Sequence, residues 1–182
     1  DIPERFDRFE EGVEVIDLLL HNNDAVSYDG EYFNLQEAKL LPRPRREDGT
    51  RLLIGGNGQN RTLPLAAEYA TEWNGVFLPP EEYHDLNIRL DEFIEKQGRQ
   101  PSEVRRSLMT RIVYGRDSDE LENHLDGNDP DDLREQGYIV GTAEDIREHL
   151  DRLDEVGVDR VMLQWLALDD MDRLKALADA IL

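Results

Sequence analysis

The feature that most constrains this chain is a repeated change of apolar period. From residue 52 onward, short strand-like runs alternate with segments of helical period. Residues 52–54 precede a helix ending near residue 69, and 71–77 precede a helix at about 80–97. Residues 104–114 precede an acidic stretch at 117–136, helical at its start, and a helix at about 143–156. Residues 159–166 precede a closing helix at 170–182. Strands alternating with helices imply a parallel sheet joined by right-handed crossovers. Four such β/α units are half of an eight-stranded β/α barrel, which takes roughly 250 residues. The 182 residues therefore read as a single α/β domain forming the second half of a larger barrel.

The units are preceded by a different kind of sequence. Residues 1–22 read as a helix, with Pro3 suited to its first turn and Phe6, Phe9, Val13, Ile16, Leu19 and Leu20 on one stripe. Residues 25–50 read as an inserted hairpin and its exit. "VSYDGEYF" (26–33) places Asp29-Gly30 between two β-prone runs, a strong local hairpin signal. Pro42, Pro44 and the charged run 43–48 then read as a surface connection. No internal repeat or low-complexity segment stands out.

One stretch carries a chemical suggestion. "LLIGGNGQNRT" (52–62) runs three apolar residues into Gly55, Gly56, Asn57 and Gly58, and a helix follows at once. Glycines there permit φ > 0 and let a ligand come close to backbone N–H groups. The following helix turns its partly positive end to the same place, and Pro64, lacking an N–H, fits its first turn and sets the start at about residues 60–62. That arrangement suits a phosphate. The pattern is neither the spaced G-x-G-x-x-G of dinucleotide folds nor a Walker loop. Asn-Gly is also a common turn dipeptide, so spacing alone leaves a plain turn and an anion cradle both open.

Composition bears on partners. The chain has 42 acidic and 21 basic residues, a formal net charge of -21, and only three of the basic residues are Lys (Lys39, Lys96, Lys175). Binding a nucleic-acid backbone needs a basic stripe, and none is visible, so nucleic acid is not an expected partner. An acidic, Lys-poor surface suits a salt-rich cytoplasm, where screening relieves self-repulsion. With no Cys, no signal-peptide pattern and no apolar run near 18 residues, the expectation is a cytoplasmic protein without a membrane partner.

A family resemblance joins these readings. "RLLIGGNGQNRTLPLAAEYATEWN" (51–74) resembles the segment of luciferase-like flavin-dependent oxidoreductases in which a strand ends in Gly-Gly-x-Gly, a helix carries Leu-x-Leu-Ala-Ala-x-Tyr-Ala and a strand ends in Trp-Asn. "RFDRFEEGVEVIDLLL", "SYDGEYFNLQEAKLLPRP" and "VGTAEDIREHLDRLDEVGVDRVML" resemble the same family in the same order, so the likeness spans nearly the whole chain. The resemblance implies a TIM barrel that binds coenzyme F-420 or FMN at the C-terminal ends of its strands, with strands one to four absent from this chain. It implies an oxidoreductase or monooxygenase acting on a small organic substrate, in which the cofactor does the hard chemistry and the polypeptide binds and orients. It assigns cofactor binding to Gly55, Gly56, Asn57, Gly58 and Trp73. For Trp73 a buried core position is the alternative. Substrate and flavin-ring contacts would come largely from the absent half, which makes a non-catalytic half-barrel that acts only with a partner or is a remnant the second functional class.

Other residues add little chemistry. Thr142 and Asp145 read as a capping box, with a ligand contact as the alternative, and Gln164 is a candidate interior polar group on a strand where Val161, Leu163 and Trp165 alternate with Met162 and Leu166. His21, His84, His124 and His149 have no metal-ligand spacing, and no nucleophile elbow occurs, so no metal site is expected and no catalytic residue is nominated. Four parallel strands leave two open edges, which favours self-association of an isolated chain.

The charge generates a direct test. The Debye length grows from about 10 Å at 0.1 M to about 30 Å at 0.01 M salt, so repulsion among the 42 carboxylates should weaken the fold as salt is removed. Thermal unfolding should shift strongly upward with KCl, and an unchanged melting temperature from low to molar salt contradicts the salt-adapted reading.

Overall fold

The computed structural model describes residues 2–43 and 50–182. Most of the charged connection expected at 43–48 lies outside the described residues. The element order is α1 (Ile2–His21), a hairpin of β1 (Val26–Asp29) and β2 (Asn34–Ala38), then β3 (Leu53–Gly55), α2 (Thr62–Tyr69), β4 (Glu72–Val76), α3 (Pro80–Lys96), β5 (Arg105–Tyr114), α4 (Ser118–His124), α5 (Pro130–Glu135), β6 (Ile139–Gly141), α6 (Ala143–Glu155), β7 (Arg160–Gln164) and α7 (Met171–Ile181).

β3, β4, β5 and β7 run parallel in that spatial order, as four successive β/α units of a right-handed barrel would. The sheet has a fifth strand that the apolar alternation does not reveal. β6 is three residues long and pairs with Ile112–Tyr114 of β5, beyond the part of β5 that pairs with β7. The expected count of four strands is corrected to five, because Ile139–Gly141 has only two apolar residues before its glycine and is a strand by virtue of its pairing with β5.

Side chains of successive strand residues point to opposite faces, and here the faces differ in chemistry. One face carries Ile54, Trp73 and Leu108, all at most 3% exposed, against Leu63, Ala66 and Ala67 of α2 and Tyr83, Leu90 and Ile94 of α3. Val161 and Leu163 of β7, and Trp165 just beyond it, join the same core. The opposite face is mostly polar. Glu72 pairs with Arg160, the Asn74 amide donates to Ser107 Oγ at 2.9 Å, and Gln164 Nε2 lies 2.7 Å from Met109 Sδ. Large exposed apolar side chains on this face are confined to its margins, where Leu53 and Leu166 are 44% and 58% exposed.

Arg106 ties the sheet to α3. It is 6% exposed, and its guanidinium donates to Asn87, Asp91 and the Val104 carbonyl, while Asp159 at the start of β7 accepts its backbone N–H at 2.8 Å. A buried charge is tolerable only with partners of this kind.

The hairpin departs from its expected turn. The reversal occupies residues 30–33, closed by Gly30 N–H to the Phe33 carbonyl at 2.9 Å, and β2 starts at Asn34, after the β-prone residues 31–33. The cause is a side chain from α1. The Glu11 carboxylate accepts the N–H groups of Glu31, Tyr32 and Phe33 at 3.1, 2.9 and 2.6 Å, which draws those residues out of the ladder. The α1 stripe is also less buried than its period suggests, since Val13 and Val15 are buried but Phe9 and Ile16 are 42% and 46% exposed.

His149 offers a test of packing in the helix layer. It lies on α6, is 9% exposed, and its Nε2 has no hydrogen-bond partner among the described residues. Burial holds its pKa below the ordinary histidine value, reinforced by Arg152 and Arg134 and opposed by Glu81. A folded-state value below the unfolded one means the contribution is complete above about pH 6.5 and is lost as pH falls through the folded value. His149→Gln, which cannot be protonated, should therefore lose less stability than the parent between pH 7 and pH 5.5 in chemical denaturation. Equal losses would contradict this.

Candidate functional site

β3 ends at Gly55, opposite Asn74 of β4, and the chain must leave the sheet there to enter α2. Gly56 does so at φ 126, a conformation side chains rarely adopt, while its N–H still reaches the Asn74 carbonyl at 3.0 Å. Asn57 continues the ladder with its side chain: Oδ1 accepts the Val76 N–H at 2.9 Å and Nδ2 donates to the Val76 carbonyl at 2.8 Å. The side-chain amide occupies the positions that a backbone peptide would take in a longer strand.

The backbone of the loop is thus free to open. Leu63 N–H reaches back to the Gly58 carbonyl at 3.0 Å, closing a wide turn, and the N–H groups of residues 57–62 donate to no acceptor among the described residues. Gly58 is packed against that turn, since a Cβ there would sit 2.6 Å from Thr62 Oγ1. The N-cap residue of α2 is Arg61, which makes no side-chain capping bond. Its guanidinium turns away to Asp7 and Glu10 of α1 and lies 4.3 Å from the Phe6 ring centroid. Those hydrogen bonds raise its pKa, so it stays charged. Gln59 and Asn60 are held from the other side by Arg89 of α3 at 2.9 and 3.4 Å.

A strand end, glycines, unpaired amides and an uncapped helix N-terminus make a geometry suited to an anion of phosphate size. The residues present fit the phosphate end of a flavin-type cofactor on three counts: the left-handed Gly56, the lack of room for a side chain at Gly58, and the unpartnered amides between them.

Gly55, Gly56, Asn57 and Gly58 come together as one loop, and Trp73 touches it from behind. Trp73 is fully buried on the helix side of the sheet, its ring 5.0 Å from that of Tyr83. Its indole N–H donates to the Gly56 carbonyl at 2.9 Å, so its direct link to the loop is through the backbone. Thr142 and Asp145 form the cap: Asp145 Oδ2 accepts from the Thr142 N–H and hydroxyl, both at 2.8 Å, which lowers its pKa. Gln164 faces Met109.

Asn74, matched in the sequence only to the family's Trp-Asn strand end, and Ser107, which the sequence did not single out, form a buried pair on the face opposite Trp73. The signal available was the two-residue period of β4, which puts Glu72 and Asn74 opposite Trp73. No group of three or more His, Asp or Glu side chains among the described residues could hold a metal ion, and no described helix is long and apolar enough to cross a membrane.

Known proteins share both sequence and fold with this chain. A curated relative, F-420-dependent glucose-6-phosphate dehydrogenase of Amycolatopsis mediterranei (strain U-32), is 28% identical over 184 residues, covering 97% of this chain and 52% of the relative. Phthiodiolone/phenolphthiodiolone dimycocerosates ketoreductase of Mycobacterium kansasii is 30% identical over 121 residues, 65% of this chain and 33% of the relative. The chain thus spans about half the length of the first of these relatives and a third of the second. Among solved structures, an F-420-dependent secondary alcohol dehydrogenase in complex with an F-420-acetone adduct superimposes with a TM-score of 0.81 at 21% identity, covering 100% of this chain and 63% of that one. A long-chain alkane monooxygenase gives 0.70 at 16% identity, covering 97% and 56%. The parallel β/α sheet is accordingly part of a luciferase-like TIM barrel. The family profile described as luciferase-like monooxygenase matches residues 1–127, and the chain belongs to that family.

Proposed function

We propose that residues 1–182 form one domain that contributes the cofactor-phosphate side of an oxidoreductase using coenzyme F-420 or FMN. The observation that carries this reading is the run of unpartnered amides from residue 57 to 62 behind the left-handed Gly56. Gly55, Gly56, Asn57 and Gly58 hold the phosphate, and Trp73 fixes the Gly56 carbonyl so that the loop keeps its shape. Bound there, the deazaflavin supplies hydride transfer and reduced FMN supplies hydride transfer or oxygen activation. The polar face of Asn74, Ser107 and Gln164 lines the barrel interior below the loop and orients a small organic substrate. The curated and structural relatives named for F-420 support the deazaflavin, and the likeness to an alkane monooxygenase keeps FMN in the reading.

The open edges favour a second reading, in which the chain acts only with a complementary half. β3 pairs only with β4, and β7 only with β5, so each keeps an unpaired edge among the described residues, a template for another strand. Light scattering of the chain in high salt should then report self-association; a monomer that binds cofactor tightly would remove this reading.

Gly56→Val is the test of the loop. A β-branched residue at φ 126 costs on the order of 1–3 kcal/mol and spoils the cradle, so cofactor affinity read from cofactor fluorescence should fall by about tenfold or more. Gly98→Ala is the control, because Gly98 also has positive φ but lies in open space beyond α3. It should bind as the parent does. Parental affinity in a folded Gly56→Val protein would defeat the assignment.

A further inference from the structure

A second pocket lies at the C-terminal ends of β5 and β7, with a volume of about 260 Å³. Arg111, Asn123, His124, Asp126, Trp165 and Arg173 are among its lining residues. Arg173, in the first turn of α7, is 8% exposed, and its Nε has no hydrogen-bond partner among the described residues. The nearest carboxylate, Asp170, has Oδ1 engaged by the Arg173 N–H at 3.0 Å, and its Oδ2 sits 3.3 Å from Nε outside hydrogen-bond geometry. The guanidinium stacks on Trp165, 4.7 Å from the ring centroid. His124, at the end of α4, presents a second buried nitrogen, Nε2, without a hydrogen bond. Glu120 is 3.8 Å from it and is bound to Arg116. Arg111 of β5 adds a second guanidinium, packed over Tyr138 with no carboxylate partner among the described residues.

Leaving a buried polar group without a hydrogen bond is costly, and more so for a charged one. Arg173 Nε and His124 Nε2 each have one carboxylate within ion-pair distance, Asp170 at 3.3 Å and Glu120 at 3.8 Å, but make no hydrogen bond to it. Two nitrogens without hydrogen bonds, from separate helices, and Arg111, which has no carboxylate partner among the described residues, converge on one cavity, with Asp126 the only carboxylate among its lining residues. We propose that this pocket is an oxyanion site, separate from the glycine loop, that takes the carboxylate or phosphate group of a small molecule. Arg173 and Arg111 supply charge-assisted hydrogen bonds, His124 donates from Nε2, and Trp165 forms the apolar wall. The site stands whether or not the glycine loop binds a cofactor.

The two tryptophans separate the sites. The Trp73 indole donates to Gly56 in the loop, whereas Trp165 lies under Arg173 in the pocket. The test is a titration of the 182-residue chain with inorganic phosphate and, separately, acetate, following both indole N–H signals by NMR. A saturable shift of the Trp165 signal with either anion is expected, and the tighter anion identifies the group the site takes. Arg173→Gln should weaken this response about tenfold or more, and Arg111→Gln, which removes no internal hydrogen bond, should weaken it severalfold. An unmoved Trp165 signal at millimolar concentrations of both anions overturns the proposal, as does a response confined to Trp73. Parental affinity in folded Arg111→Gln protein overturns it even if Arg173→Gln does not fold.

Discussion

The bidentate contact between the Asn57 side chain and the backbone of Val76 is the constraint on which the site depends. A strand that ends has to release its backbone from the ladder without leaving its neighbour's N–H and C=O unpaired. Here the amide group of Asn57 takes both places, so β4 stays satisfied beyond the end of β3. The Asn57 backbone can then leave the sheet, Gly56 absorbs the reversal at φ 126, and Trp73 fixes the Gly56 carbonyl from the core side. A loop held on two sides this way keeps its amides open, so the anion proposed for it would bind at little reorganisation cost.

The two faces of the same sheet differ in chemistry. The helix side buries Trp73, Tyr83, Leu108 and their neighbours, and losing an aromatic of this kind to alanine typically costs about 3–5 kcal/mol. The other side holds paired polar groups, Glu72 with Arg160 and Asn74 with Ser107. In a luciferase-like barrel that second face looks inward, and its polarity explains how four β/α units can present it without a large apolar patch. The strand ends carry the glycine loop after β3 and the Arg111, His124 and Arg173 pocket beside β5 and β7, in keeping with the rule that barrels place chemistry at the C-terminal ends of strands.

Period and punctuation made much of this legible. The alternation from residue 52 onward gave the parallel β/α order, and Gly55–Gly56–Asn57–Gly58 before Pro64 marked the strand-to-helix junction close to its observed place. What escaped is long-range. The hairpin turn moved because Glu11, some 20 residues earlier in the chain, binds its amides. β6 is defined by its pairing with β5, which no local pattern carries. Asn57-Gly58 reads as an ordinary turn dipeptide until Val76 is seen beside it, and nothing local to Arg106 marks it as buried before Asn87, Asp91 and Asp159 are seen around it.

The central claim is that the amides of residues 57–62 receive a cofactor phosphate. An amide NMR titration of the chain with FMN, and with riboflavin as its phosphate-free counterpart, addresses it directly, because the two ligands share the ring system and differ at the phosphate. FMN should shift the amide signals of residues 57–62 and the Trp73 indole, with riboflavin leaving that segment unmoved. Equal shifts with both ligands, or FMN shifts that avoid residues 57–62, would contradict the account.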